Sequence, residues 1–299
     1  MLTAVIAATT VWGTRPVSAE DRAEAEAMAR AEADQPYIQE QIEECEKDPA
    51  GWNGPGATAE DCAESLSPQA EWFLNRSELS LEQEKDDSGV GILVISSALM
   101  IIVGTTFAGA DWASGSMSNQ LLFEPRRGRV WLAKAGAVFL GALVVVAVVV
   151  AAFWATLFLV AQGRDLATSA GMREEIAWTA ARGTLLAAVA ALGGYALTML
   201  LRHTVGSLAV LFAYAVGGEI LIASLPFEGV RRWSLGTNVF AWIQDGYKYY
   251  DPSIVCSPTE EMCDQSAMLS LADAAPYLGA LLALVMVLSV VLFRRRDVP

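Results

Sequence analysis

The sequence predicts an all-α, polytopic membrane protein with six transmembrane helices. Hydrophobic residues make up 54% of the 299 residues, and the mean hydropathy is +0.38. A helix needs roughly 20 apolar residues to cross a bilayer core of about 30 Å. Unbroken apolar runs close to or above that length are residues 90–108, 135–161, 183–201, 205–225 and 277–293. A helix satisfies its backbone groups internally, as a segment in lipid must.

The first predicted helix is incomplete. Residues 1–13 are apolar, but as a helix they would extend only about 20 Å at about 1.5 Å per residue. The segment lacks the basic start and the small-x-small cleavage site of a signal peptide. We therefore interpret it as the outer half of a truncated first transmembrane helix, and we expect the native helix to begin upstream of Met1.

Basic residues indicate which loops face the cytoplasm, because cytoplasmic loops collect Lys and Arg close to the membrane. They occur after the first, third and last of the long runs: Arg126, Arg127, Arg129, Lys134, Arg202, Arg294, Arg295 and Arg296. If these places face the cytoplasm, inner and outer loops alternate without a break. Both termini are then cytoplasmic, and the predicted localisation is the cell membrane.

The predicted organisation follows from these runs and their orientation. In chain order it comprises a partial first transmembrane helix (1–13), an acidic extracytoplasmic helical module (14–87), a second helix (88–110), a cytoplasmic segment (111–133), a third helix (134–161), an external loop (162–182), a fourth and a fifth helix (183–201 and 205–225), an external or re-entrant segment (226–275), a sixth helix (276–293) and a cytoplasmic tail (294–299). The aromatic residues of 226–275 favour an interfacial or re-entrant helix around 234–250, with an ordinary packed loop as the alternative.

The four cysteines all lie in segments assigned to the outside, which agrees with the orientation because disulfides persist in oxidising compartments. The simplest pairing is Cys45 with Cys62 and Cys256 with Cys263. Sequence alone leaves the connectivity open, and unpaired thiols are the alternative.

The net charge of −14 belongs to one segment. Between Arg15 and Asp87 there are 20 acidic and 6 basic residues, whereas the remainder of the chain has 14 of each. Helix starts are predicted at Ser18, Thr58 and Ser67, where a hydroxyl residue precedes acidic residues. The apolar content is small, so a disulfide that closes a loop of about 15 residues would contribute roughly 3 kcal/mol to this insert. Its acidic surface is either simply solvated or attracts a cationic partner.

Motifs of several enzyme classes are missing. No G-x-x-x-x-G-K-[ST] phosphate loop, no H-E-x-x-H and no G-x-S-x-G sequence occurs. The single histidine, His203, cannot by itself supply a metal site or a catalytic triad. We therefore expect no enzyme activity, no cofactor, no metal and no nucleic-acid partner.

Glu219 is the one charged residue inside an apolar run, away from its ends. Carboxylates within a membrane are costly and are functional candidates by default. Glu219 is therefore an intramembrane candidate, and the alternative is a protonated glutamate bonded to Tyr or Ser of a neighbouring helix.

The cytoplasmic segment carries an acidic residue, small polar residues, two leucines, a proline and several arginines. The residues are Asp111, Gly115, Ser116, Leu121, Leu122, Pro125, Arg126, Arg127, Arg129 and, opening the next helix, Lys134. This order resembles the loop between the second and third helices of ABC-2 type transporter permeases. The passage from the fourth to the fifth helix is similar as well, with Arg202, Thr204 and Pro226 in the usual places.

The resemblance implies a permease subunit, an exporter driven by an ATPase on a separate chain. It implies a second permease subunit, in a homo- or heterodimer within the lipid bilayer, and a coupling helix in 109–131 that sits in a groove of the ATPase. Gly115 would permit close backbone approach, the apolar Leu121, Leu122 and Phe123 would anchor the helix, and Pro125 would end it. The arginines would hold the loop at an anionic surface or only set topology. The alternatives are a membrane-embedded enzyme, for which no catalytic constellation is present, and a membrane sensor or anchoring protein that binds a partner through its acidic module.

Overall fold

The computed structural model describes residues 2–54, 56–74, 79–254 and 264–296. The chain forms two compact units: an amino-terminal unit, Val5–Ser80, and a larger unit that comprises Met1–Ala4 and Leu81–Pro299. Helices dominate both, and within the described ranges β-structure is limited to one two-stranded antiparallel sheet. The predicted all-α class is therefore confirmed.

The first helices of the chain are short. They are α1 (Leu2–Gly13), α2 (Ala19–Ala33), α3 (Pro36–Lys47), α4 (Pro49–Asn53), α5 (Ala59–Leu66) and α6 (Ala70–Phe73). The predicted starts at Ser18 and Thr58 are confirmed, because each residue closes a capping box with the aspartate three residues further on. The predicted start at Ser67 is wrong. Ser67 instead ends α5 with an extended backbone (φ −69°, ψ 129°), the conformation favoured before a proline.

Within the amino-terminal unit, α2 packs against α6 and α3 packs against α5. Cys45 of α3 and Cys62 of α5 are fully buried and joined by a disulfide. The other buried side chains of α2 and α3 are small or few, namely Ala25, Ala29 and Ile38. The buried disulfide therefore contributes to this unit the stability that an apolar core provides in a larger domain.

The larger unit contains long helices, several short ones and two strands. They are α7 (Leu81–Glu84), α8 (Val90–Ala113), α9 (Ser116–Phe123), α10 (Arg127–Gly163), α11 (Ala170–Leu201), α12 (Thr204–Phe212), α13 (Gly218–Ser224), α14 (Leu235–Gln244), strands β1 (Tyr247–Tyr250) and β2 (Ser266–Leu269), and α15 (Leu271–Arg295). The π-helical turns Lys85–Gly89 and Ala213–Gly217 join α7 to α8 and α12 to α13.

Five helical segments of the described chain are long and apolar enough to cross a membrane, and they indicate a membrane-embedded protein. They are Leu81–Ala113, Arg127–Gly163, Ala170–Leu201, Thr204–Ser224 and Leu271–Arg295. The sixth predicted span, in residues 1–13, corresponds to α1, which has 12 residues. At about 1.5 Å per residue it is shorter than the bilayer core, so the sixth span stays a prediction.

The predicted external loop 162–182 is more helical than expected. Most of the predicted loop 162–182 is helical, because α11 begins at Ala170 and Ser169 caps it by accepting a bond of 3.1 Å from the Met172 N–H. The charged residues of this stretch lowered its hydropathy, but Arg and Glu are good helix formers.

The predicted helix around 234–250 is shorter than expected. It ends at Gln244, where Asp245 (φ 65°) and Gly246 (φ 128°) turn the chain out of the helix. The strand β1 follows and pairs with β2, with Tyr247 opposite Leu269.

The closest helix pair of the larger unit is α8 with α11. A Cβ on Gly104 would lie 1.9 Å from the carbonyl oxygen of Ala191, and a Cβ on Gly194 would lie 2.5 Å from that of Ile101. Only glycine allows the two backbones to come this close, which is how helices pack tightly in lipid.

An aromatic cluster joins α11 to two further helices, α10 and α15. Trp131 of α10 and Tyr195 of α11 are fully buried, with ring centroids 5.4 Å apart in an edge-to-face arrangement. The Tyr195 hydroxyl donates to the Trp131 carbonyl at 3.0 Å, and the Trp131 indole N–H donates to Ser289 Oγ of α15 at 3.1 Å. Both aromatic polar groups are therefore satisfied, and α15 is tied to α10 and α11.

Candidate functional site

The end of α8, the short α9 and the start of α10 form a compact turn, here called the elbow (residues 111–134). α8 ends at Ala113, and Gly115 takes a left-handed conformation (φ 70°) that reverses the chain into α9. α9 ends at Phe123, two residues before Pro125. The predicted segment 111–133 is thus divided, because Asp111 still belongs to α8 and α10 already begins at Arg127 rather than at residue 134.

Asp111 is the centre of the elbow. Its carboxylate forms an ion pair with Lys134 of α10, and both side chains are only 16% exposed. Ser116 Oγ donates to Asp111 Oδ1 at 2.7 Å, and Gln120 Nε2 donates to the same oxygen at 3.3 Å. One carboxylate therefore connects α8, α9 and α10. A partly buried charge with this many partners holds the three helix ends in a fixed arrangement.

Gln120 did not stand out in the sequence. The sequence feature that could have indicated its role is its position four residues after Ser116, which places both side chains on one face of α9. Lys134 was recognisable as the residue that opens the third helix, but its pairing with Asp111 depends on the elbow being closed.

The two faces of α9 differ sharply. Met117 is fully buried, and Leu121 packs against the same core as Trp131. Leu122 and Phe123 point away from the chain and are 80% and 90% exposed. Of the three predicted anchoring residues, the elbow therefore uses Leu121 internally and presents Leu122 and Phe123.

The predicted basic residues take different roles. Arg127 is half-buried, and its guanidinium donates to the carbonyl oxygens of Phe293 (3.5 Å) and Arg296 at the end of α15. Arg126 and Arg129 are exposed, and Arg129 lies 4.0 Å from Glu124. Arg127 thus connects the elbow to α15, while Arg126 and Arg129 are exposed close in sequence to Leu122 and Phe123.

A second contact at this end of the bundle involves the turn between α11 and α12. Arg202 caps α11 in a left-handed conformation (φ 59°), and its guanidinium carbon lies 4.7 Å from the centroid of the Trp112 ring. Next to it, His203 Nδ1 accepts a bond of 3.0 Å from the Gly206 N–H and so caps α12. His203 has a structural role, and no cluster of three or more metal-ligating side chains occurs among the described residues.

Glu219 lies in α13, far from the elbow in sequence, and is half-buried. Its carboxylate accepts a bond of 2.7 Å from Ser234 Oγ and one of 2.9 Å from the Gly236 N–H. These two donors are the cap and the first turn of α14, where unpaired N–H groups and the helix dipole favour a negative charge. Glu219 is thus a half-buried, hydrogen-bonded group, and its donors are a serine and a backbone N–H at the start of α14.

The predicted disulfide residues divide between described and undescribed parts of the chain. Cys45 and Cys62 are the pair found in the amino-terminal unit. Cys256 and Cys263 lie outside the described residues.

Comparison with protein-family models, with curated proteins and with solved structures finds no match for this chain. The resemblance to ABC-2 type permeases therefore stays a prediction from the sequence, made on the residues of the elbow and on residues 201–226.

Proposed function

We propose that this chain is the permease subunit of an ABC-2 type transporter, an exporter driven by an ATPase on a separate chain. The observation that carries the proposal is the elbow: a short helix braced by Asp111 and Lys134, with Leu122 and Phe123 almost fully exposed. Adjacent exposed apolar side chains that are rimmed by polar residues are a feature of docking surfaces.

The bonds of Asp111 with Lys134, Ser116 and Gln120 are here called the brace. They explain how a partner could act on the bundle. A force applied to α9 reaches α8 and α10 through the Asp111 carboxylate, and it reaches α15 through Arg127. A flexible loop would absorb such a displacement, whereas a braced helix passes it to the spans. This is the physical requirement for a segment that couples nucleotide hydrolysis to transport.

The proposed second permease subunit is compatible with the exposure of two spans. Thr204–Ser224 and Leu271–Arg295 bury little of their apolar surface against the rest of the described chain. Lipid or a second subunit, identical or related, would cover these faces in the bilayer.

The test is the substitution Leu122→Asp, which places a charge in the proposed apolar contact. An unpaired charge buried in an interface costs about 3 kcal/mol, which is on the order of a hundredfold in affinity. We expect the variant to insert and fold normally, because Leu122 touches little of its own chain. Capture of the tagged chain from native membranes, followed by mass spectrometry, should recover a nucleotide-binding subunit with the parent chain and lose it with the variant.

The matched control is Glu40→Lys on the exposed surface of the amino-terminal unit, which should leave the nucleotide-binding subunit bound. If Leu122→Asp retains both the ATPase and transport-coupled hydrolysis, the elbow is only a topological turn and the proposal fails. If no ATPase is captured and Glu40→Lys instead removes another partner, the sensor or anchoring function is the better account.

A further inference from the structure

A groove runs between α10 and α11 at the end of the bundle opposite the elbow. It has a volume of about 480 Å³, and its lining includes Ala151, Trp154, Phe158, Arg173, Ala177 and Thr184. The lining includes alanines of both helices, here called the alanine floor, and the aromatic rings of Trp154 and Phe158 of α10. The small side chains leave a channel that the two helices cannot fill themselves.

The length of the groove matches one leaflet of a membrane. On α10 its lining extends from Leu143 to Phe158, which is about 22 Å at about 1.5 Å per residue. One leaflet is about 15 Å thick in its hydrocarbon part and about 20–22 Å thick with its headgroup region. The groove therefore reaches from the level of the headgroups to near the middle of the bilayer, the distance that one acyl chain covers.

The mouth of the groove carries a positive charge. Arg173 lines it, is exposed, and has no carboxylate partner among the residues that the structure describes. Of the two acidic residues that follow, Glu175 is paired with Lys85 at 3.2 Å, and Glu174 does not line the groove. A guanidinium matches a phosphate group well, because its planar set of donors can bind two oxygens at once.

We propose that this groove binds one anionic glycerophospholipid, with its phosphate on Arg173 and one acyl chain along the alanine floor. The apolar lining takes the acyl chain. Arg173 favours a headgroup with a net negative charge, because the choline cation of a zwitterionic lipid would offset the attraction between the guanidinium and the phosphate. The site is independent of the elbow and of the proposed transport function. It would fill the channel between α10 and α11, two of the three longest spans of the described chain.

The experiment uses the full chain in phosphatidylcholine nanodiscs that contain a small fraction of phosphatidylglycerol with a photoactivatable acyl chain. Illumination and peptide mapping should place the label on peptides that cover 143–158 and 173–184, and free phosphate should not compete. The double substitution Ala151→Leu with Ala177→Leu fills the floor and should reduce labelling about tenfold. Ala152→Leu is the matched control, because it lies on the same helix outside the groove lining and should leave labelling unchanged.

The substitution Arg173→Gln tests the headgroup. Arg173 is exposed, so the variant should fold as the parent does. The preference for the phosphatidylglycerol probe over a phosphatidylcholine probe with the same acyl chain should fall about fivefold. Labelling spread evenly over all spans, unchanged labelling in the filled variant, or equal labelling of the parent chain by both probes would overturn the proposal.

Discussion

In the amino-terminal unit, Asp21 and Asp61 close capping boxes at exposed helix starts, whereas in the larger unit Asp111 and Glu219 connect separate helices. Within the described ranges the Asp61 carboxylate bonds only to Thr58, three residues earlier in the chain. Asp111 bonds to a lysine 23 residues away, and Glu219 bonds to the start of another helix. For these four residues, the carboxylate is thus bonded locally in the amino-terminal unit and between helices in the larger unit.

The difference follows from what each unit can bury. The amino-terminal unit buries few large side chains, so its order depends on a disulfide and on local caps that work in water. The larger unit has abundant apolar surface, but apolar surface does not choose between neighbours in lipid. Close glycine contacts and paired polar groups decide which helices pack together. The few partly buried charges of the larger unit therefore contribute more to its helix arrangement than its many exposed charges do.

The largest expected effect comes from breaking the ion pair of the elbow. Asp111→Asn removes the charge and leaves Lys134, only 16% exposed, without its counter-ion. Loss of one partner of a largely buried pair should lower the free energy of unfolding by about 3 kcal/mol. Denaturant titration in mild detergent measures this. Combining Asp111→Asn with Lys134→Met should recover much of the loss, since no unpaired charge then remains.

The control for the elbow is an exposed pair. Glu124→Gln removes the partner of Arg129, whose side chain is 66% exposed, and should change stability by less than about 1 kcal/mol. Equal losses from Asp111→Asn and Glu124→Gln would show that the elbow is not braced by its buried pair.

A comparable loss, confined to the other unit, is expected from Cys45→Ser with Cys62→Ser. The bridge joins residues 17 apart in sequence, which corresponds to about 3 kcal/mol of unfolded-state entropy. Limited proteolysis of the full chain should then cut within residues 18–74 while the long helices stay protected. A reducing agent should produce the same pattern in the parent chain and no further change in the variant. Unchanged cleavage would mean that the caps alone hold this unit.

A smaller effect is expected from Glu219→Gln. The glutamine oxygen can still accept from the Gly236 N–H, and Ser234 keeps its own bond to the Thr237 N–H at 3.1 Å. We expect a change below about 1 kcal/mol, and a larger loss of about 1–3 kcal/mol for Glu219→Ala, which leaves donors unpaired. Unfolding in detergent measures stability, and a transport assay provides the second readout. Impaired transport in a stable Glu219→Gln chain would give Glu219 a role beyond bonding α14.

The smallest effect concerns pH. The bonds that Thr58 donates from its N–H and its hydroxyl hold the pKa of Asp61 below its usual range, against a small opposing effect of desolvation. The folded-state pKa is thus below the unfolded value, so the cap contributes stability above about pH 4 and loses it as the pH falls further. Hydrogen exchange of the α5 amides, corrected for the intrinsic rate, should rise in that range. The Asp61→Asn variant should show no such pH dependence.

The sequence predicted features that depend on local order. The starts of α2 and α5 were readable because a cap and its acidic partner are three residues apart. The five long spans were readable because lipid requires an uninterrupted apolar run. The start of α11 was missed because Arg173, Glu174 and Glu175 reduce hydropathy without opposing a helix. The hairpin was missed because strands of four residues carry little pattern of their own.

By itself, the sequence determined the long apolar helices, the location of the acidic charge and the polar composition of the elbow, because each depends on residues that are neighbours in the chain. Only the tertiary structure decided that Asp111 meets Lys134, that Leu121 turns inward while Leu122 and Phe123 remain exposed, and that the donors for Glu219 come from the start of α14. These are distances between separate helices. They depend on how closely α8 and α11 approach and on the direction in which Gly115 turns the chain, and hydropathy and spacing contain neither quantity.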